Sequence, residues 1–491
     1  MKVLCLGNNT EDTDKRTTEI ANKDNATNFG LLSNLGNDIN KECFDVGYYH
    51  TSVYDFNVLK LSSLTTKFDK IIILDQPRDE WDHPNAYYNT IILGDSLPNV
   101  EYINPVAARN IRYWRNIVDE NKSFCIFPFI ELVAYDNYTT VCCRSTTKIT
   151  QVDKLHNFNN DTNYVRIRDK MLNGDLIPEH CQSCYSLEEK GVISPRIEET
   201  NEWCNRLNLL STKQLKEIKS PAYYEIRPSN KCNLKCRMCT PSSSHLIDYE
   251  YSKLGIGGGN TYDSYLSFKH VDIANLHKLY IAGGEPLIIP EVVEFLVECI
   301  KSNQTSFEIN INTNATVLTD KFKEIISNFT NLQFTVSIDG YKNANHYIRY
   351  PSKWEDIIDN VDYMIAHNHK VSFNTTISIY NITRLFELFN FIDTKYNGHH
   401  LHTQLAGSIN NILSPYNNPN ISIAMDNLSK SLILGCCQTM PVASMLAELI
   451  VSYENHDTPL DMRAFYDFND KLDRHRKIDL CDYIPELDSF R

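Results

Sequence analysis

The sequence predicts an α/β chain built around a parallel sheet of six strands that alternate with helices. Two observations carry that prediction. Apolar, strand-like runs recur at 223–228, 278–282, 307–312, 334–338, 371–377 and 401–406, and the segments between them place apolar residues at helical spacing. The residues best suited to chemistry then fall just after those runs, as Cys232, Glu285, Asn314 and Ser337 do. In barrels of strand–helix units, chemistry collects at the C-terminal ends of the strands. At 491 residues the chain has room for two to four domains.

Residues 1–115 read as a small α/β domain. Met1-Lys2-Val3-Leu4-Cys5-Leu6-Gly7-Asn8-Asn9 is a buried-strand pattern running into a turn, and 68–75 is a second such strand. No G-x-G-x-x-G follows Gly7, so there is no dinucleotide fingerprint. The roles expected of this region are substrate recruitment or packing. Between 120 and 203 lies a cysteine set: Cys125, the pair Cys142-Cys143, and Cys181-Gln182-Ser183-Cys184. Four thiolates from a hairpin and a C-x2-C knuckle close a site completely, as a zinc ribbon or as a fully ligated iron–sulfur cluster.

The six-strand segment spans 218–410. Its first strand runs into Cys232-Asn233-Leu234-Lys235-Cys236-Arg237-Met238-Cys239, a C-x3-C-x2-C triplet. A cubane cluster normally takes four thiolates; three close thiolates hold it and leave one iron open. Zinc is the alternative, needing a fourth ligand, and His245 is the nearest histidine downstream. The second strand ends in Gly283-Gly284-Glu285-Pro286, where glycines permit close backbone approach and a carboxylate can meet an ammonium group. The third ends in Thr313-Asn314-Ala315 and the fourth in Ser337-Ile338-Asp339-Gly340, with Tyr347-Ile348-Arg349 beyond. Helices are expected over 291–302, 320–329, 354–367 and 383–394. Lys231, Lys235 and Arg237 read as charges on an exposed loop. His399, His400 and His402, at the start of the last strand, read as surface or packing residues.

Together these motifs resemble the radical SAM superfamily, over roughly residues 120–410. The resemblance implies a partial (β/α)6 barrel in which Cys232, Cys236 and Cys239 hold a [4Fe-4S] cluster whose open iron chelates S-adenosylmethionine. It places Gly283, Gly284 and Glu285 at the methionyl amine, Ser337 and Arg349 at the carboxylate, Asn314 near the ribose and Met238 against the adenine. Ala315 stands where the family usually has glycine. The region 120–203 resembles the Twitch domain, a shortened SPASM domain. Its matching elements are Cys125 with Pro128, a turn at Asp136-Asn137, the run Arg166 to Gly174, and Cys181 with Cys184, Glu188, Glu189, Gly191, Ser194 and Arg196. In that pattern Cys125, Cys142, Cys181 and Cys184 ligate an auxiliary [4Fe-4S] cluster, with Cys143 as the fallback for Cys142 and zinc as the alternative metal. Such domains usually follow the barrel; this order resembles N-terminal Twitch radical SAM proteins.

The function this implies is reductive cleavage of S-adenosylmethionine to a 5′-deoxyadenosyl radical that takes hydrogen from a substrate, in a net oxidation or crosslink of a peptide or protein. Alternatives are oxidation of a small molecule such as a sugar or alcohol, and a non-catalytic iron–sulfur binding or assembly protein. An electron donor such as flavodoxin or ferredoxin is an implied partner. No residue is singled out as general base.

Residues 411–491 read as a linker over 411–425 followed by helices, with 445–451 and 462–476 as candidates. Cys436, Cys437 and Cys481 read as buried structural thiols. Fifteen cysteines in a reducing, cytoplasmic setting are metal ligands and buried thiols, not a disulfide framework. A net charge of −14 argues against a nucleic-acid partner, and no apolar run is long enough to suggest a membrane span.

Overall fold

The computed structural model describes residues 3–8, 46–51, 70–73, 100–102, 117–118, 120–135, 137–189, 194–209, 211–259, 266–396, 400–406, 412–424 and 462–488. The expectations for Gly191, His399, Cys436, Cys437 and 445–451 lie outside the described residues. The chain divides into two compact units, Met1–Ile130 with Asn159–Lys219, and Glu131–Phe158 with Ser220–Arg491.

The first unit holds a parallel four-stranded sheet of β1 (Val3–Asn8), β2 (Val46–Thr51), β3 (Lys70–Ile73) and β4 (Val100–Tyr102), in the order β2-β1-β3-β4. It also holds the helices α1 (Thr162–Asn173), α2 (Pro178–Glu189) and α3 (Pro195–Arg206). Asp161 caps α1 by accepting from the amides of Asn163 and Tyr164, and Gly174 ends it in the left-handed conformation. Two buried arginines tie these helices to the Cys125 segment. Arg168 donates to the Pro128 carbonyl at 2.7 Å. Arg196 donates to the Phe124 carbonyl at 2.8 Å and makes a two-point pair with Glu188 at 2.8 and 2.6 Å.

The second unit is one eight-stranded sheet. Its strands are β5 (Glu131–Tyr135), β6 (Tyr138–Thr140), β7 (Tyr223–Ile226), β8 (Lys278–Ile281), β9 (Glu308–Thr313), β10 (Leu332–Ser337), β11 (Lys370–Ile377) and β12 (His400–Leu405). The order β12-β11-β10-β9-β8-β7-β5-β6 is parallel throughout except at the β5–β6 hairpin. Six consecutive parallel strands are therefore β7 to β12, in chain order. The hairpin at 131–140 pairs with β7, whereas the sequence grouped it with Cys181 and Cys184 in a domain over 120–203.

The helices between strands, α4 (His245–Leu254), α5 (Pro290–Lys301), α6 (Asp320–Ile326), α7 (Asn343–Ile348), α8 (Trp354–Ala366) and α9 (Leu385–Lys395), turn apolar stripes inward. In α5 the stripe is Val292, Phe295, Leu296 and Cys299. Strands β8 and β9 answer with strict alternation. In β9 Ile309 and Ile311 are wholly buried, and Asn310 and Asn312 occupy the opposite face. That face is polar and internally bonded: Thr335 donates to Asn310 at 2.9 Å, Ser337 to Asn312 at 3.2 Å and Gln404 to Thr376 at 2.9 Å.

A last helix, α10 (Met462–Arg476), reverses one expectation from sequence. Arg237 is fully buried, because α10 covers it. Its guanidinium donates to the Tyr347 carbonyl at 3.0 Å, to Asn469 at 2.8 Å and to Asp473, and it lies 3.6 Å from the centre of the Tyr347 ring. Lys231 is exposed and Lys235 half-buried. Cys481, expected to be buried, is exposed, since it is the second residue of a four-residue helix whose inward residue is Leu480. Among the described residues no helix is long and apolar enough to cross a membrane.

Removing Arg237 leaves Asp473 buried without its charge partner, a loss of about 3–5 kcal/mol in comparable buried pairs. Arg237→Ala should lower the urea midpoint of the second unit accordingly, and an unchanged midpoint would show that α10 is not held by this pair.

Candidate cofactor site

The C-terminal ends of all six parallel strands open into one cavity of about 530 Å³. Its wall includes Arg227 after β7, Tyr280 on β8 and Ala282 just after it, Asn312 on β9, Ser337 on β10, Asn374 on β11 and Gln404 on β12. Cys232, Cys236 and Cys239 line it from the loop after β7. So do Met238, Gly283, Gly284, Asn314, Ser337 and Arg349. The structure thus brings together residues that sequence reasoning drew from four separate motifs.

The cysteine loop is fixed by its neighbours, not by regular structure of its own. Lys235 donates its amide to the Tyr350 carbonyl at 2.6 Å and Arg237 donates its amide to the Ile348 carbonyl at 2.8 Å, so Cys236 is held between two backbone bonds. Asn233 is tied to the end of β9 by a bond from Asn314 at 2.9 Å and by its own bond to Thr316 at 2.8 Å. The Cys232 amide donates to Nδ1 of His245 at 3.2 Å, which commits that ring nitrogen to the backbone.

The two glycines explain themselves sterically. Gly284 has φ +47°, and a Cβ there would stand 2.1 Å from the Lys231 carbonyl oxygen. Gly283 has φ +82°, with the Arg227 side chain 2.9 Å from where its Cβ would be. Only glycine permits this approach of β8's end to the cysteine loop.

Glu285, expected at the methionyl amine, is 1% exposed and is not among the cavity's lining residues. Its carboxylate accepts from the Thr313 hydroxyl at 2.6 Å, the Asn314 amide at 2.7 Å and the Leu287 amide at 3.1 Å. Burial outweighs these bonds and pushes its pKa up to about 7.

Arg349 and Asp339 form a buried pair at 2.5 Å on the cavity wall. Burial raises the Asp339 carboxyl while Arg349 works against it. Asp339 also accepts from the Thr376 amide at 2.7 Å. Burial pushes the three thiols up, Cys232 to about 12, and the positive charge of Arg349 opposes that rise at each. Three thiols on one loop, backbone glycines at their side and a guanidinium beside them are a donor set that fits an iron–sulfur cluster with one open position.

In the first unit Cys125, Cys181 and Cys184 come together. Cys125 is raised by burial and then by the nearness of Cys181 and Cys184, and Arg196 partly offsets this. Cys142 belongs to the second unit. There Cys143 groups with Glu131 and Glu225, with donor atoms all within 4.8 Å of one another.

Residues 226–392 match the family model described as the Radical SAM superfamily. An uncharacterized protein of Methanocaldococcus jannaschii is 25% identical over 159 residues, which is 32% of this chain and 52% of that one. The GTP 3′,8-cyclase of Clostridium perfringens is 28% identical over 171 residues, 34% of this chain and 50% of that one. The chain thus spans about half the length of these curated relatives. Among solved structures, native anSMEcpe with bound AdoMet has a TM-score of 0.31 at 16% identity, covering 44% of this chain and 62% of that one. Streptococcus suis SuiB bound to S-adenosylmethionine gives 0.30 at 16% identity, covering 58% and 61%.

Two outcomes test the geometry. Glu285→Ala leaves two buried amides without an acceptor, so stability should fall by about 2–5 kcal/mol at neutral pH, read as a lower thermal midpoint. Ala315 sits at φ +54° and is fully buried, a conformation that glycine adopts freely and that costs an alanine about 1–2 kcal/mol. Ala315→Gly should therefore raise the same midpoint, by about 1 kcal/mol or less of stability.

Proposed function

Because this chain belongs to the radical SAM superfamily through residues 226–392, we propose that it is an enzyme that cleaves S-adenosylmethionine and removes a hydrogen atom from a peptide or protein, giving a net oxidation or crosslink. The observation that supports this best is the single cavity shared by the three cysteines, Gly283, Gly284, Asn314, Ser337 and Arg349. When bound, the [4Fe-4S] cluster supplies the electron for reductive cleavage of the sulfonium to methionine and a 5′-deoxyadenosyl radical.

The chain's own residues divide the remaining work. Cys232, Cys236 and Cys239 would hold the cluster. Gly283 and Gly284 offer bare backbone to the methionyl amine, and Glu285 fixes that backbone from behind. Arg349 and Ser337 meet the carboxylate, with Asp339 setting the angle of the guanidinium. Asn314 lies toward the ribose and Met238 toward the adenine.

The far wall supports a substrate rich in neutral hydrogen-bonding groups. Asn312, Asn374, Thr376 and Gln404 line it. The charged lining residues are paired: Arg227 with Glu225, and Arg349 with Asp339. Peptide amides match such a wall. The hydroxyls of a sugar or alcohol match it too, and that is the second reading.

In the first unit, Cys125, Cys181 and Cys184 are proposed as ligands of an auxiliary [4Fe-4S] cluster, with zinc as the alternative metal; the thiols' convergence supports this. A one-electron donor of the flavodoxin or ferredoxin class completes the scheme.

Protein reconstituted anaerobically and reduced with dithionite should release 5′-deoxyadenosine from S-adenosylmethionine, and Cys236→Ala should release none. No release from the unsubstituted chain would favour a non-catalytic iron–sulfur protein. Iron near about eight per chain supports two clusters, and about four removes the auxiliary one.

A further inference from the structure

Among the described residues, Tyr280 is the one aromatic side chain on the cavity wall. It stands on β8 beside Glu225 of β7 and Asn310 of β9 in the strand register. Leu279 and Ile281, wholly buried, take the helix side of the strand. Tyr280 therefore faces inward, one pleat deeper than Ala282 and the Gly283-Gly284 turn.

Its phenol is unspent. The Glu225 carboxylate beside it is taken by Arg227, and Asn310 accepts from Thr335 at 2.9 Å. Among the described residues the Tyr280 oxygen has no hydrogen-bond partner, and it is not one of the sealed atoms left without one. It is an accessible O–H on a wall whose other polar groups bond one another. The tyrosines behind the cysteine loop differ: Tyr347 donates to Asp473 at 2.9 Å and Tyr380 to Asn469 at 2.8 Å. A tyrosine hydroxyl away from bulk water normally has a partner, so this one awaits what the cavity holds. Burial, and then the charge of Glu225, raise the phenol above its ordinary value, and it keeps its proton at neutral pH.

That hydrogen is chemically distinct from the rest of the wall. The amides of Asn312, Asn374 and Gln404 and the hydroxyls of Ser337 and Thr376 hold their hydrogens too strongly for a primary carbon radical to remove. A phenol gives its hydrogen atom up more readily, because the radical left behind spreads over the ring.

We propose that Tyr280 is a hydrogen-atom donor to carbon radicals formed in this cavity, and that the 5′-deoxyadenosyl radical takes its phenolic hydrogen when no substrate is present. The proposal rests on the reading of the site as one that cleaves S-adenosylmethionine. The phenolic O–H bond breaks and a C5′–H bond forms, giving 5′-deoxyadenosine and a neutral tyrosyl radical. One electron from the reductant, here dithionite, and one proton from water restore the phenol. Tyr280 thus discharges a radical that has met no substrate.

The test uses the full chain, reconstituted anaerobically with iron and sulfide and equilibrated in deuterium oxide. It is given S-adenosylmethionine and dithionite with no substrate. Only hydrogens that exchange with water then carry deuterium, so the mass of the 5′-deoxyadenosine reports where its new hydrogen came from. The unsubstituted chain should place deuterium at C5′, and Tyr280→Phe should lose that label; the labelled fraction is read, not the amount of product. Unlabelled product from the unsubstituted chain, or a label that survives Tyr280→Phe, would overturn the proposal. A label that survives Tyr280→Phe but is lost in Cys143→Ser would assign the hydrogen to the thiol near the phenol instead, and overturns it equally. Should Tyr280→Phe fail to keep its iron, the paramagnetic resonance of the unsubstituted chain, frozen during the first turnover, decides. A radical signal that narrows when the protein carries ring-deuterated tyrosine carries the proposal; a signal that does not narrow, or none, overturns it. Failure of the unsubstituted chain to release any 5′-deoxyadenosine is a separate outcome: it overturns the cleavage reading and this proposal with it.

Discussion

The site depends on the junction between Glu285 and the cysteine loop. Its amide donates to the Lys231 carbonyl at 2.8 Å, and its carboxylate receives the end of β9 through Thr313 and Asn314. One residue thus locks three successive strand ends to each other. Gly284 must be glycine because that lock brings its backbone against Lys231. Asn314, held by Glu285, in turn reaches Asn233 inside the triplet. Loosening the junction would move the thiols, the glycine backbone and Asn314 together, which is why the donor set behaves as one object.

Charge follows a similar economy of placement. The polar face of the sheet is lined mostly by amides and hydroxyls that bond one another, and the ionic groups sit at its rim in pairs. Buried pairs of this kind add little net stability against well-packed apolar alternatives, because desolvation cancels most of the attraction. Their strength is directional. Arg349 cannot rotate away from Asp339 without leaving a carboxylate unpaired at 0% exposure, so its remaining N–H groups keep one orientation toward the cavity. Preorganised donors of that sort stabilise a carboxylate without having to reorient on binding.

Much of this was legible in the sequence because it depends on local pattern. The strands β7 to β12 fall within one or two residues of the expected runs, since alternation and turn residues mark them. The triplet and the paired glycines were visible as spacing. What escaped was long-range. Arg237 looked like a loop charge because nothing near it in sequence could neutralise it; Asp473, its partner, lies 236 residues on. The hairpin 131–140 joined the barrel sheet for a similar reason. A strand of five residues carries no local sign of which sheet edge it will extend, and β7 supplied an open parallel edge. The contacts of Glu285 to Thr313 and Asn314 escaped too, because a carboxylate beside two glycines carries no sign in sequence of which backbone it will hold.

The long separation between the triplet and α10 has a thermodynamic consequence. Closing a loop of that length costs only slightly more than closing one a quarter as long, since the entropy grows with the logarithm of length. The contact is therefore cheap in entropy, and β8 to β10 bring Tyr347 and Tyr350 to the loop that it holds. Arg237 bonds the Tyr347 carbonyl, and Tyr347 donates its hydroxyl to Asp473 at 2.9 Å. These three residues close a ring of contacts that no two of them can complete alone. Helix α10 thus holds, through Arg237, a loop whose thiols line the same cavity as Arg349 and the glycine backbone.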